Sequence, residues 1–444
     1  MGRLFGTDGI RGVANVDLRP TLAFALGRAV AHGLAGSSGS IVVGHDTRRS
    51  CDMFVAAITA GATSMGTDVH GVGVIPTPGL AFLAGGGGFA AGIMVSASHN
   101  PAEDNGLKVL SATGQKLPDE VEEELEELIW RSEELGGAAA SSLGRTVDAR
   151  SLVDRYLEHR SSLADSVDAS GLRIVLDCAN GAGSAVGPVV LRRTGADVRV
   201  IHDRPDGSNI NVRSGATSPE SLASEVMAVG ADVGFALDGD ADRLVAVDAT
   251  GEVVDGDRIL GILALDRLAR GALPGDVLVV SVLSNGGLGQ AVEAAGGRLV
   301  RTPVGDKYIL EGMEVSRAGL GGEKSGHVIV REHTASGDGV VTAVEVLRVM
   351  MNRGASLAEL AAAIPMLPQE QRAVKVRHKD QWEGDPAIQA AIRDAETRLG
   401  PAGRVLVRPS GTEPALRVMI EGEDAVLVAL LADAIAVVAK ERLD

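Results

Sequence analysis

Three alternating aspartates stand in one short loop of the sequence. Asp238, Asp240 and Asp242 lie between two apolar runs that predict buried strands. Three carboxylates this close repel one another unless a cation neutralises them, so a divalent metal site is the simplest interpretation and a solvated turn is the alternative. The spacing imitates the start of an EF-hand loop, but Arg243 and Ala249 occupy the positions where that loop needs glycine and glutamate. Magnesium fits better, since a few carboxylates and a phosphate oxygen satisfy it.

A serine at the end of an apolar run is the second candidate. The segment reads Val-Ser-Ala-Ser-His-Asn-Pro and brings Ser98 next to His99, with Lys108 further along the chain. A serine hydroxyl needs help from a base, a cation or a metal, so these neighbours favour a nucleophile or phosphoryl carrier at Ser98. A plain Ser/Asn/Pro turn is the alternative. An acyl-transfer hydrolase is disfavoured because no Gly-x-Ser-x-Gly elbow surrounds the serine.

A loop near the C-terminus combines hydroxyls, a glycine and arginines. It lies between two predicted strands and contains Arg408, Ser410, Gly411 and Thr412, with Arg417 close behind. Exposed N–H groups, two hydroxyls and two guanidinium forks suit a phosphate dianion. A hairpin turn explains the proline and the glycine of this loop but not both arginines.

Two further polar segments are weaker signals. The run Gly-Glu-Lys-Ser-Gly-His at 322–327 lacks the Gly-Lys-Ser order of an ATP-binding P-loop. As an extended strand it would project Glu323, Ser325 and His327 to one face, suited to sugar hydroxyls, and turn Lys324 toward solvent or a carboxylate. Arg11 stands in a glycine-rich turn at the start of the chain.

All these segments follow predicted strands, where α/β proteins place their ligand sites. A serine, a metal cluster, a phosphate nest and a hydroxyl-reading loop on four separate segments indicate phosphoryl transfer on a phosphosugar. We expect the four segments to meet in a cleft between domains.

Short β-branched runs alternate with longer alanine-rich amphipathic stretches from about residue 20 to 365, which predicts an α/β fold. Strands expected at 41–43, 174–176 and 277–280 recur at similar intervals and hint at three related units. The uncharged stretch 71–98 is expected to form a strand, a turn and a strand, because its prolines and glycines spoil a helix. A carboxylate-covered helix with one apolar stripe is expected at 119–134.

Length and composition limit the function classes. The 444 residues suggest about three or four domains, and we expect boundaries that give 1–150, 151–253, 254–368 and 369–444. A net charge of -17 and 2% aromatic residues argue against nucleic acid and anionic membranes as partners. Cys51 and Cys178 lack metal-site or disulfide spacing. No export signal is visible, so a cytoplasmic location is expected.

Nearly the whole chain resembles the α-D-phosphohexomutases. The resemblance rests on Phe-Gly-Thr-Asp-Gly-Ile-Arg-Gly at 5–12, Ser-Ala-Ser-His-Asn-Pro at 96–101, and Pro-Asp-Gly-Ser-Asn-Ile-Asn at 205–211. It implies four domains around a central cleft: three related α/β domains and a smaller C-terminal α+β domain.

The resemblance also implies roles for the residues above. Ser98 would be phosphorylated in the active enzyme and would bind one Mg²⁺ per chain together with Asp238, Asp240 and Asp242. Arg11, Lys108 and His99 would assist acid-base chemistry, and His327 would be a candidate base. The residues implied to bind the substrate are Arg243, Glu323, Ser325, Arg408, Ser410, Gly411, Thr412 and Arg417.

The implied reaction is that of the subgroup that interconverts glucosamine 6-phosphate and glucosamine 1-phosphate through glucosamine 1,6-bisphosphate, for UDP-N-acetylglucosamine and cell-wall synthesis. Lys324 replaces that subgroup's usual glutamine. A phosphoglucomutase or phosphomannomutase of the same family, a phosphosugar-binding regulator without catalysis and a magnesium-dependent phosphatase are the alternatives. The expected partner is a small phosphosugar, and a homodimer stays open.

Overall fold

The computed structural model describes residues 4–6, 8–36, 39–410 and 414–444, and it contains four β-sheets with helices packed around them. The first sheet has six strands in the order β1-β5-β4-β2-β3-β6. Its strands are β1 (Ile10–Val13), β2 (Ser40–His45), β3 (Asp68–Val74), β4 (Ala91–Val95), β5 (Asp104–Ser111) and β6 (Thr146–Asp148), and its helices are α1 (Pro20–Val30), α2 (Cys51–Ser64), α3 (Thr77–Gly86) and α4 (Asp119–Trp130).

The second sheet has five strands in the order β11-β10-β9-β7-β8. Its strands are β7 (Arg173–Asp177), β8 (Asp197–Ile201), β9 (Val233–Leu237), β10 (Leu244–Asp248) and β11 (Val253–Val254). The helices of this part of the chain are α5 (Val153–Ala164), α6 (Gly187–Arg193) and α7 (Glu220–Val229).

The third sheet has four strands in the order β13-β12-β14-β15. Its strands are β12 (Val277–Ser281), β13 (Arg298–Thr302), β14 (Leu320–Gly322) and β15 (Val328–Val330). The helices around it are α8 (Gly256–Ala269), α9 (Gly286–Ala294), α10 (Asp306–Ser316), α11 (Gly339–Arg353) and α12 (Leu357–Ala362).

The fourth sheet differs from the others because it is wholly antiparallel. It has three strands in the order β16-β18-β17, with β18 paired to both neighbours. The elements are β16 (Gln369–Lys375), α13 (Pro386–Leu399), β17 (Arg404–Pro409), β18 (Ala415–Glu421) and α14 (Ala425–Leu443). The expectation of three related α/β units and a smaller α+β unit is therefore confirmed.

The first three sheets share one internal pattern. In each, a central strand (β2, β7 or β12) pairs in parallel with two neighbours, and one of those neighbours (β4, β9 or β14) then pairs antiparallel with the strand that follows it. The central strands are the three that the sequence expected to be related. The connection after β4, β9 and β14 leads in every case to a predicted chemistry-bearing loop.

The prediction for the uncharged stretch 71–98 was wrong at its centre. Between β3 and β4 lies the helix α3, not a turn. Pro76 precedes this helix and Pro78 lies in its first turn, where a helix needs no N–H donor, so neither proline breaks it. Gly85 and Gly86 lie at its C-terminal end. The acidic helix predicted at 119–134 is α4, which carries a buried stripe that includes Leu125 and Ile129 but ends earlier than predicted, at Trp130.

Apolar packing joins the second and third units. One continuous cluster of buried side chains runs from Tyr156 on α5 to Ile364 after α12, and α11 packs against β9 and β10 of the second sheet as well as β15 of the third. The fourth unit has a cluster of its own. Among the described residues, none of the helices is long and apolar enough to span a membrane. The expected domain boundaries stay a prediction.

A buried arginine connects the first three units. Arg160 on α5 donates from Nε to Oδ2 of Asp338 at 2.8 Å, and its guanidinium lies 5.5 Å from the ring centroid of Phe82 on α3. Asp338 caps α11 by accepting from the N–H groups of Val340 and Val341. Both charged side chains are almost fully buried.

Replacement of this arginine should therefore be costly. Arg160→Met leaves the buried Asp338 without its cation, so we expect the free energy of unfolding to fall by about 3–5 kcal/mol. Urea denaturation followed by circular dichroism measures the change. Arg150→Met, which removes the exposed partner of Asp148, is the matched control and should leave the transition nearly unchanged. Equal effects of the two variants would contradict the prediction.

Candidate active site

The loop between β9 and β10 holds three buried carboxylates. Asp238, Asp240 and Asp242 are at most 6% exposed, and each offers an oxygen within 4.8 Å of the others. Asp240 accepts at Oδ2 from the Thr77 hydroxyl at 2.5 Å and from Lys108 Nζ at 2.9 Å. The other oxygens, Oδ1 of Asp240 and Oδ1 of Asp242, are buried without a hydrogen-bond partner in the described structure.

The three aspartates have different electrostatic surroundings. Burial raises the pKa of Asp238 well above its usual value, and the charges of Asp242 and Asp240 raise it further. Burial also acts on Asp240, but Lys108 and Thr77 outweigh it and lower the pKa of that carboxyl. For Asp242, burial and Asp240 raise the pKa, yet the hydrogen bond with His327 contributes to a net lowering. A bound divalent cation would remove the repulsion that Asp238 experiences.

A second acidic cluster shows why the three aspartates are the better metal site. Glu332, His333 and Glu345 also bring ligand atoms within 4.8 Å of one another. There, Arg267 Nη2 lies 2.9 Å from Glu332 and 3.0 Å from Glu345, so a guanidinium already neutralises both carboxylates. The aspartate loop instead has orphaned carboxylate oxygens, which is the donor set that Mg²⁺ prefers. The residues present therefore fit a magnesium ion.

Ser98 follows β4 and contacts the aspartate loop directly. Its hydroxyl donates to Asp238 Oδ2 at 2.5 Å and lies 3.3 Å from Nδ1 of His99. Burial, Arg243 and Arg11 lower the pKa of His99 to about 4, so the imidazole is neutral at pH 7. The structure thus brings the predicted serine, its neighbouring histidine and the predicted metal loop together.

The backbone at Ser98 is held in an unusual conformation by several partners. Its φ is +52°, a region that residues other than glycine seldom adopt. The Ser98 N–H donates to the Ser96 hydroxyl, and its carbonyl accepts from Arg48 Nη2 at 2.9 Å and from Asn211 Nδ2 at 2.8 Å. A Cβ on Gly239 would lie 2.4 Å from the same carbonyl, so only glycine permits this close approach.

Arg11, Lys108 and Asp8 form an ion-pair cluster beside this loop. Arg11 and Lys108 both pair with Asp8, the latter with 3.3 Å between Nζ and Oδ2. Arg11 also donates from Nη1 to Asn100 Oδ1 at 3.1 Å, which places its guanidinium next to the serine loop. The two predicted cations therefore lie on the side of the metal loop that carries Ser98.

The predicted extended strand at 323–327 is a tight turn. The Gly326 N–H donates to the carbonyl of Glu323, Gly326 has a φ of +93°, and the turn joins the antiparallel strands β14 and β15. The expected alternation of side chains is therefore wrong, because a chain that reverses direction does not keep the two-residue period of a strand. Ser325 has a buried hydroxyl without a partner in the described structure.

His327 and Arg243 join the turn to the metal loop. His327 Nδ1 lies 3.5 Å from Asp242 Oδ2, and its Nε2 accepts the Gly337 N–H at 3.0 Å. Both ring nitrogens of this candidate base thus have partners. Arg243 forms a backbone bridge with His327. Its half-buried guanidinium pairs with Asp242, with Nε 3.8 Å from Oδ1, a distance too long for a hydrogen bond.

Lys324 points toward the fourth unit. Its Nζ donates to Gln369 Oε1 at 3.0 Å, and Gln369 Nε2 donates in turn to Glu421 Oε2 at 3.0 Å. The partner is an amide, whereas the sequence suggested solvent or a carboxylate. The lysine side chain therefore bridges from the turn to the first strand of the fourth sheet.

The phosphate-binding loop predicted near the C-terminus lies between β17 and β18. Arg408 and Arg417 are directly opposite each other in the register of these strands, a pairing of like charges that an anion would stabilise. Burial and the charge of Arg417 lower the pKa of Arg408, and the charge of Glu323 partly opposes this. Lys379 Nζ contacts the Ser410 carbonyl at 2.5 Å. Gly411 and Thr412 lie outside the described residues.

Sequence reasoning missed several residues that shape the site. Asp46 and Arg48, which brace the Ser98 loop, follow the predicted strand at 41–43 and met the same criterion as the chosen loops. Thr77 was hidden by the wrong prediction for 71–98. The pair formed by Lys116 and Asp306 joins positions 190 residues apart, and no sequence pattern signals such a contact.

Family comparisons cover most of the chain. Family models described as phosphoglucomutase/phosphomannomutase match residues 2–136 (alpha/beta/alpha domain I), 154–251 (domain II), 255–367 (domain III) and 373–438 (C-terminal domain). The phosphoglucosamine mutase of Moorella thermoacetica is 54% identical over 427 residues, which are 96% of each chain. That of Symbiobacterium thermophilum is 50% identical over 448 residues, with 100% of each chain covered.

Solved structures share the fold. A phosphoglucomutase/phosphomannomutase family protein from Burkholderia thailandensis matches with a TM-score of 0.84 and 25% identity, over 100% of this chain and 98% of that one. An N-acetylphosphoglucosamine mutase from Aspergillus fumigatus was solved in complex with GlcNAc-6P and magnesium. It matches with a TM-score of 0.72 and 20% identity, over 99% of this chain and 95% of that one. The second likeness concerns the fold alone.

The metal site leads to a direct binding test. Asp240→Asn removes one of the three buried charges, so we expect Mg²⁺ affinity measured by calorimetry to fall by about tenfold or more. Glu332→Gln alters the other acidic cluster and is the matched control, with unchanged affinity expected. If Asp240→Asn bound Mg²⁺ as tightly as the unmodified protein, the loop between β9 and β10 would not be the metal site.

Proposed function

The chain belongs to the phosphoglucomutase/phosphomannomutase family, and from that premise we propose that it interconverts glucosamine 6-phosphate and glucosamine 1-phosphate. It is then an isomerase that moves a phosphoryl group by way of a phosphoserine. The choice of an amino sugar follows relatives that are named phosphoglucosamine mutase and are aligned over 96% or more of both chains. As part of the same proposal the enzyme acts in the cytoplasm and supplies UDP-N-acetylglucosamine synthesis.

One observation carries the proposal. The Ser98 hydroxyl lies 2.5 Å from Asp238, one of three buried aspartates whose surroundings suit a divalent cation. A hydroxyl in that position can carry a phosphoryl group next to a charge that stabilises the transfer. A regulator without catalysis would have no need for this contact, so the geometry favours an enzyme.

The proposed transfer uses Ser98 as the covalent carrier. In the first half-reaction a hydroxyl oxygen of the monophosphate substrate attacks the phosphorus of phosphoserine 98, the bond from phosphorus to Oγ breaks, and Oγ keeps the electron pair. The proton of the attacking hydroxyl passes to a neighbouring base, and Oγ takes up a proton. The product, glucosamine 1,6-bisphosphate, turns over in the cleft and returns its other phosphate to Ser98 by the reverse steps.

The chain's own residues divide the remaining work. Lys108 and Arg11 neutralise and orient the phosphoryl group, and Lys108 exchanges protons beside it while the Arg11 charge assists, with neutral His99 alongside. His327 has both ring nitrogens engaged in this structure, so in our proposal it positions Asp242 more than it serves as a base. When bound by Ser98 and the three aspartates, Mg²⁺ supplies a Lewis acid that withdraws charge from the transferring phosphoryl group.

The substrate would be held at both ends. In the proposal, Glu323 and Ser325 bind sugar hydroxyls, with Arg243 behind them. The loop with Ser410, Gly411 and Thr412 and the arginine pair Arg408 and Arg417 hold the phosphate that is not reacting. Because the two phosphates exchange places between half-reactions, this nest must accept either end of the sugar, which favours a charge-based site over one that reads the ring.

A second candidate keeps the mechanism and changes the sugar. Lys324 stands where the amino-sugar subgroup usually has glutamine, and this favours considering glucose or mannose phosphates as substrates. A lysine directed at the sugar would repel the ammonium of glucosamine. Its contact with Gln369 supports an outward direction and therefore the amino sugar. The oligomeric state stays open, as it does from the sequence.

The function is tested by activity and by mass. With Mg²⁺ and a trace of sugar bisphosphate, the purified protein should convert glucosamine 6-phosphate faster than glucose or mannose 6-phosphate and release no free phosphate. Ser98→Ala should abolish turnover because Ser98 is the only covalent carrier in the proposed mechanism. Intact-mass spectrometry should find one phosphate on the wild-type protein and none on the Ser98→Ala variant.

The same experiment identifies failure. Ser98 is buried and its hydroxyl donates to Asp238, so circular dichroism must first establish that Ser98→Ala is folded before its turnover is compared. Normal turnover by the folded variant would disprove the phosphoserine mechanism. Release of inorganic phosphate in place of isomer exchange would identify a phosphatase.

The sugar preference gives a separate prediction. Because Lys324 Nζ bonds to Gln369, we expect Lys324→Gln to change kcat/KM for glucosamine 6-phosphate by no more than about threefold. Steady-state kinetics on glucosamine and glucose phosphates measure the effect. A gain of about tenfold or more on glucosamine phosphate alone would mean that the lysine faces the sugar, and the substrate proposed above would be wrong.

A further inference from the structure

Two ion pairs cross from the first unit to the start of α10 in the third. Lys116 Nζ lies 2.7 Å from Asp306 Oδ1, and Lys307 Nζ lies 2.7 Å from Asp119 Oδ1. The first unit supplies the cation of one pair and the anion of the other. If the two units docked with Lys116 opposite Lys307 and Asp119 opposite Asp306, like charges would meet. The two pairs therefore favour one relative position of the units.

The start of α10 also holds the turn that would read the sugar. The Gly305 N–H, just before the helix, donates to Glu323 Oε1 at 3.1 Å. Asp306 Oδ2 lies 3.9 Å from Nε2 of His327, at the other end of the turn. One end of the turn therefore contacts Gly305, which directly precedes the ion-paired residues, and the other end lies near Asp306, which is one of them.

The pair formed by Lys116 and Asp306 is connected to the side of the site that carries Ser98. Lys116 Nζ lies 2.5 Å from Asp8 Oδ1, and Asp8 Oδ2 lies 3.3 Å from Lys108 Nζ. Lys108 in turn contacts Asp240 at 2.9 Å. Contacts of alternating charge thus run from the metal loop through the first unit to Asp306 and the turn.

We propose that the four residues of these ion pairs are positioning residues, which fix the turn at 323–327 at the correct distance from Ser98. They are Lys116, Asp306, Lys307 and Asp119. The inference rests on the proposed function, because this distance matters only if a phosphoryl group passes between Ser98 and a sugar bound at the turn. Near-attack geometry is sensitive to displacements of about 1 Å, which can cost roughly a hundredfold in rate. Residues that fix the distance between carrier and acceptor should therefore act on kcat more than on KM.

The pair formed by Lys307 and Asp119 offers a charge-swap test. Asp119→Lys sets two ammonium groups against each other, so we expect kcat for the glucosamine phosphate exchange to fall about fivefold or more while KM changes less than about twofold. Lys307→Asp should behave similarly. The double variant, Asp119→Lys with Lys307→Asp, restores opposite charges and should recover kcat to within about twofold of the unmodified protein.

A matched control removes the effect of charge at the helix end. Glu120 is exposed in the same first turn of α4, so Glu120→Lys makes the same charge change without altering either ion pair. We expect its kcat to match that of the unmodified protein. If Glu120→Lys lowered kcat as much as Asp119→Lys, or if the double swap gave no recovery, the positioning role would be wrong.

Hydrogen exchange separates this proposal from the function itself. Amide exchange in 306–316 should speed up in each single variant and return toward normal in the double swap, whatever reaction the enzyme performs. Exchange that responds in this way while kcat stays unchanged would make the pairs merely structural and overturn the inference. An unmodified protein without mutase activity would overturn the proposed function, and the exchange results would still report on the contact.

Discussion

The repulsion among three carboxylates buried in one loop is the constraint on which the site depends. Each aspartate is stabilised by a different neighbour: Asp238 by the Ser98 hydroxyl, Asp240 by Lys108 and Thr77, and Asp242 by His327. These neighbours come from the first and third units, so docking of those two units stabilises the loop of the second. The electrostatics of one loop thus determine where three sheets meet.

The repeated sheet pattern explains why the functional loops converge. In each of the first three units the loop follows the strand at which pairing changes from parallel to antiparallel, after β4, β9 and β14. Sequence patterns predicted β4 and β9 because their side chains are buried and mostly aliphatic, whereas β14 reads Leu-Gly-Gly and gave no such signal. They also predicted the loops, because polar residues follow the strands at positions where α/β proteins place their ligand sites. The aspartate cluster, the serine loop and the arginine pair were therefore visible in the sequence.

Other features depend on contacts that a linear pattern does not contain. The prolines around Thr77 look like breakers in sequence, but they lie at a helix start, where the missing N–H donor costs nothing. The segment 323–327 has strand-like alternation, yet β14 and β15 run antiparallel, and the chain must reverse between them. The partners of Lys116 and Asp306 are set by the docking of units, which arises only after each sheet has formed.

The shared core of the second and third units has a consequence for synthesis of the chain. The first unit contains apolar clusters within its own stretch of chain and can fold soon after it leaves the ribosome. The second sheet is covered on one side by α11, which is not made until residue 353. Until α11 is synthesised, apolar side chains of β9 and β10 that are buried in the folded protein stay exposed to solvent. Nascent chains that end between these strands and α11 are thus the ones for which chaperone contact matters most.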